Sequence, residues 1–176
     1  MILYATNGKT QRVGSVQVNS LELRGSGQDS NSLENSVPQE LRMAISTSED
    51  VKHLMLEMIQ EMNLDIVDFR VEEKENDRIE VFTKHLVDDV ETELSLSDES
   101  SGTKKLFGLL PFIATSLLDG TVLVIDELDA KIHPVLLRHI IMMFNDMNIN
   151  RHNAQLIFTS HDLSTMNSEV FRRDEI

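Results

Sequence analysis

A chain of 176 residues can build one hydrophobic core and is short for two, and its 40% apolar and 26% charged content is ordinary for a soluble globular protein. A formal charge of −14 argues against a strongly basic nucleic-acid surface, and the absence of Cys excludes a disulfide scaffold and thiolate metal sites, as suits a cytoplasmic protein. No segment reaches membrane-spanning length, because the most apolar stretch, Leu106 to Leu118, is interrupted by Pro111, and no membrane partner is expected.

Residues 1–40 read as a poorly defined segment or linker. Val16 and Val18, then Leu21 and Leu23, hint at a short strand, and a Ser-, Asn- and Gly-rich stretch follows. From residue 41 onward the pattern strengthens. Ser46 and Glu49, like Thr47 and Asp50, have capping-box spacing, and Val51, Leu54, Met55, Met58, Ile59 and Met62 then recur on one face of a helix closed by Asn63. Three alternating segments come next: Ile66–Val71, Ile79–Leu86 after a K-E-N-D turn, and Val90–Leu96 across Asp88-Asp89. They predict an antiparallel meander with one charged face.

The second half is denser. Lys104 to Leu118 predicts a buried helix in which Pro111 introduces a kink, and 121–125 predicts a buried strand. Pro134 suits the first turn of a helix to about Asp146, buried through Leu136, Leu137, Ile140, Ile141, Met143 and Phe144. Ala154 to Thr159 predicts another strand, and 163–168 a short helix. Strand, helix, strand, helix in this order predicts a parallel α/β arrangement.

Three features carry chemistry. Asp126 and Glu127 follow the strand at the position where open α/β sheets bind their ligands; the plainer reading is an acidic turn. Glu99-Ser100-Ser101-Gly102-Thr103-Lys104-Lys105 opens a helix whose free amides favour an anion, or is an ordinary N-cap on Ser100 or Ser101. His161 ends the neighbouring strand behind Ser160, placed to touch a phosphate or orient a water, or simply to cap the next helix.

In this order, the features from about Ser95 to Ile176 resemble the C-terminal lobe of an ABC-type ATPase head. The likeness is to the SMC and RecF side of that superfamily, in the prokaryotic "AAA family ATPase" or "ATP/GTP phosphatase" group associated with abortive infection and phage defence. The resemblance implies an α/β fold: a partial P-loop NTPase with parallel core strands, helices packed on them and a small antiparallel meander. It implies one lobe over 41–176, incomplete at both ends. Ser100, Ser101 and Gly102 are then similar to the signature loop, which contacts ATP bound by a second head; T-V-L-V-I-D-E-L-D is similar to Walker B, and F-T-S-H to the switch-histidine motif. By that likeness Asp126 holds the water shell of Mg²⁺, Glu127 polarises the attacking water and His161 senses the γ-phosphate. Asp129 and His133 fall at D-loop-like positions, His133 standing where related proteins carry an Asp.

No G-x-x-x-x-G-K-[ST] motif occurs in the 176 residues. Gly8-Lys9-Thr10 matches its second half, but Leu3 stands where the first Gly belongs and no full strand is expected before it. The chain therefore reads as half of an ATP site. The expected partners are a P-loop-bearing half or subunit and a second head, in a homo- or heterodimer, with nucleic acid reached only through such a complex. A longer or split gene, a decayed gene and a pairing subunit each account for this. Two other classes stay open: a non-catalytic dimerisation module, and a metal-dependent nuclease built on Asp126, Glu127, Asp129 and His133.

Overall fold

The computed structural model describes residues 2–5, 15–18, 48–62, 64–74 and 78–161. They fall into two compact units, Met1–Leu21 with Phe112–Ile176, and Glu22–Pro111.

In the unit Glu22–Pro111, helix α1 (Glu49–Glu61) starts after Ser48, which makes no side-chain cap bond. The capping boxes on Ser46 and Thr47 and the stop at Asn63 lie outside the described residues. The helical face read from the sequence is buried at Val51, Met55, Met58, Ile59 and Met62, with Leu54 only half-buried. Strands β3 (Ile66–Lys74), β4 (Arg78–Val87) and β5 (Val90–Ser95) form the expected antiparallel meander in the order β3-β4-β5. Its tight turn is Asp88-Asp89, both at positive φ, as a two-residue hairpin requires. The charged face is held by Arg70, whose guanidinium forks onto the two oxygens of Glu93 at 2.8 and 2.7 Å. That side-chain hydrogen bond holds the Glu93 carboxyl below its usual range. The other face is apolar: Phe69 and Phe107 meet edge to face with ring centres 5.5 Å apart. A short 3-10 turn, Leu96–Asp98, leads to helix α2 (Ser101–Asp119), which runs on through Pro111.

In the other unit, β1 (Ile2–Ala5), β2 (Ser15–Val18), β6 (Val122–Ile125) and β7 (Gln155–Thr159) form a sheet in the order β1-β7-β6-β2. β2, β6 and β7 are parallel and β1 is antiparallel to β7. The fold is thus α/β with parallel core strands and an antiparallel meander, as read from the sequence. One expectation is corrected: Ile2–Ala5 does form a strand ahead of Gly8-Lys9-Thr10. Its polarity is reversed, however, so that Ala5 pairs with Leu156 and Ile2 with Thr159. The motif Gly8-Lys9-Thr10 itself lies outside the described residues.

Helix α3 (Pro134–Asn145) packs on β1 and β7 through its apolar face, with Leu137, Ile140, Ile141 and Phe144 fully buried and Leu136 only half-buried. The connection to β7 turns on Asn150, which is fully buried. Its amide donates to Phe144 O at 2.7 Å and Ala154 O at 2.8 Å, and its Oδ1 accepts from Ala154 N at 2.7 Å. Asn150→Ala strands three buried backbone groups, so we expect a loss of about 2 kcal/mol, read as a fall of roughly 4–8 °C in the melting temperature.

Candidate functional site

The sheet fixes the site through its polarity. β6 and β7 are parallel neighbours in register Val122↔Gln155 to Ile125↔Phe158, so both strands end at one edge. Their carboxyl ends therefore deliver Asp126-Glu127 and Ser160-His161 side by side. Buried residues alternate along both strands, Leu123 and Ile125 in one, Leu156 and Phe158 in the other, and this anchors the register.

Thr159 ties the two ends together. Its hydroxyl donates to Asp126 Oδ1 and accepts from the Glu127 amide at 2.7 Å, while its carbonyl accepts from Leu128 N at 3.1 Å. Glu127 has a φ of 51°, in the left-handed region that side chains seldom adopt. Such a conformation costs about 1–2 kcal/mol and persists where surrounding bonds over-determine it, here the Thr159 hydroxyl and the fully buried Leu128 one residue on. The Glu127 side chain is left 54% exposed, 3.9 Å from Nε2 of His161, itself 83% exposed. That separation exceeds a hydrogen bond, and with both side chains exposed, solvent can reach either group from the side.

Asp129 completes the edge. Its Oδ2 accepts from the backbone N of His161 at 3.1 Å, and its Oδ1 is buried without a hydrogen-bond partner among the described residues. Asp126, Glu127, Asp129 and His161 are therefore brought together. His133 takes a different part: it is the N-cap of α3, its Nδ1 accepting from Val135 N at 3.3 Å. Among the described residues no three His, Asp or Glu side chains converge as a metal-ligand cluster. Asp126 spends one oxygen on Thr159, which leaves the other to accept from a hydrated cation.

Ser100, Ser101 and Gly102 belong to the other unit, at the start of α2. Ser100 is the cap: its hydroxyl accepts from Thr103 N at 3.1 Å and its carbonyl from Lys104 N at 2.9 Å. Ser100 and Ser101 are exposed and Gly102 half-buried.

The residue that reading the sequence missed at this edge is Thr159. Its signal was a hydroxyl at the last position of an apolar strand, two residues before a His; only the pairing with β6 shows what it holds. Thr159→Val is expected to speed exchange of the Glu127 amide about tenfold, the equivalent of one lost hydrogen bond of about 1.4 kcal/mol, while Thr159→Ser keeps the protection; amide exchange followed by NMR checks both.

A family model described as "AAA domain, putative AbiEii toxin, Type IV TA system" matches residues 21–167. No curated protein matches the chain significantly. No helix among the described residues is long and apolar enough to cross a membrane.

Proposed function

The chain belongs to that AAA-domain family, and from this premise we propose that it is the C-terminal lobe of an ABC-type, SMC- and RecF-like ATPase that hydrolyses ATP with a P-loop supplied from another segment or subunit. The observation that carries the reading is the Thr159 hydroxyl bonded at once to Asp126 and to the Glu127 amide, at the carboxyl ends of two adjacent parallel strands. In this reading Asp126-Glu127 is Walker B. Asp126 holds the water shell of Mg²⁺, which when bound neutralises charge on the β- and γ-phosphates. Glu127 takes a proton from the attacking water, and His161 faces the γ-phosphate. Ser100, Ser101 and Gly102 act on ATP held by a second head, so that a homo- or heterodimer of heads is the working form. The family description names a toxin of a type IV toxin–antitoxin system, and we infer phage defence as the setting of the turnover proposed here.

Two facts support the external P-loop. The 176 residues contain no G-x-x-x-x-G-K-[ST], and β1, the strand that leads to Gly8-Lys9-Thr10, ends beside Leu156, away from Asp126. Phosphate-binding loops sit at the carboxyl edge shared with Walker B, and β1 points the other way. Isothermal titration of MgATP into the isolated chain should therefore give no measurable binding; micromolar affinity would sink the external P-loop and reinstate Gly8-Lys9-Thr10.

A second reading, a non-catalytic interaction module, is favoured by the edge strand β5, where Val90 is 62% and Leu94 39% exposed. Turnover that is indifferent to Glu127 would support it.

A further inference from the structure

The Ser100–Gly102 loop has a buried root. The Glu99 side chain is only 10% exposed, yet its Oε1 takes the Thr83 hydroxyl at 2.5 Å and lies 2.6 Å from Nε2 of His85. A carboxylate oxygen only accepts, so Nε2 carries the proton in that bond. Thr83 and His85 are two residues apart on β4 and share one face of the strand, and Thr83 is fully buried.

Withdrawing a carboxylate from water is unfavourable unless its oxygens are paired, and apolar residues of the same shape would be cheaper to pack there. A buried polar cluster of this kind fixes one geometry rather than adding stability. Here it fixes the residue immediately before the loop. The Glu99 amide also closes the 3-10 turn on Leu96 O at 3.2 Å, and on the far side Ser100 caps α2. The loop is thus clamped at both ends while Ser100 and Ser101 face solvent.

We propose that His85 and Thr83 are positioning residues: through Glu99 they hold Ser100–Gly102 in the shape that meets the γ-phosphate of ATP on a second head. This rests on the ATPase reading above. A preformed loop stabilises charge in the transition state without reorganising, so its loss falls on kcat more than on ATP binding.

The test is MgATP turnover by the assembly captured through a tag on the full chain. His85→Leu should lower kcat at least tenfold with KM for ATP within twofold. His85→Gln, whose amide N–H stands where Nε2–H stood, should recover kcat to within threefold of the parent. If His85→Leu fails to fold, Thr83→Val, nearly isosteric, serves in its place with the same split. A folded variant whose kcat stays within twofold of the parent overturns the proposal, as does His85→Gln being impaired as badly as His85→Leu. Should the parent assembly release no phosphate, the ATPase reading fails by itself, and amide exchange on the isolated full chain then decides the clamp. Tenfold faster exchange at Thr103 and Lys104 in the variant upholds it, and unchanged exchange overturns it.

Discussion

Glu127→Gln is expected to lower phosphate release by the ATP-hydrolysing assembly by roughly 10²–10⁴-fold, the contribution of a positioned general base, while ATP stays bound. The substitution replaces a carboxylate oxygen by an amide nitrogen of the same size. It leaves the Glu127 backbone bond to Thr159 Oγ1 and the Asp126 contact in place, so the edge keeps its shape and loses only its proton acceptor. His161, 3.9 Å away, is 83% exposed, and its ring makes no hydrogen bond with the described residues that would fix it as a base. Phosphate release and nucleotide retained on the purified assembly measure the two halves of the expectation. Turnover within twofold of the parent would instead favour the interaction module.

Gly120→Ala should be the most damaging small substitution in the unit that carries Asp126. Gly120 ends α2 at a φ of 68°, its amide and that of Thr121 both donating to Ser116 O, at 2.8 and 3.1 Å. A left-handed residue at this place is the usual helix stop, and Gly adopts it without penalty. Alanine would incur about 1–2 kcal/mol from φ alone. Its Cβ would also stand 2.3 Å from the backbone oxygen of His152, and backbone cannot step aside as a side-chain tip can. With overpacking of about 1–3 kcal/mol added, roughly 3 kcal/mol in total is expected. Thermal unfolding should show a fall of roughly 6–12 °C. Thr121 follows directly and its carbonyl accepts from Gln155 N at 3.1 Å, so the same change disturbs the pairing that sets Asp126 beside Thr159.

The elements legible in the sequence are those whose partners lie close along the chain or whose burial has a clear period. Helix α1 shows its face in the spacing of Val51, Met55, Met58 and Ile59, and the meander shows period two with a two-residue turn at Asp88-Asp89. The acids stood out because a four-residue apolar strand ends in them abruptly. Strand β1 was not legible: it has four residues, and its partner β7 lies more than 150 residues along the chain, so nothing local declares the pairing or its polarity. The start of α2, by contrast, was legible: of the two caps the sequence offers, Ser100 and Ser101, it is Ser100 that accepts from Thr103 N, and the helix begins at Ser101. Thr159, Thr83 and His85 escaped for a common reason. Each acts on a residue from another element, and a hydroxyl or imidazole on a strand announces no partner until register is known.

The measurement closest to the centre of this reading is phosphate release from MgATP, made in parallel on the isolated chain and on the assembly captured through its tag. Release by the assembly, none by the chain, and loss in Asp126→Asn as well as Glu127→Gln is the predicted result. Equal release by the isolated chain, or release unaffected by both substitutions, would contradict it.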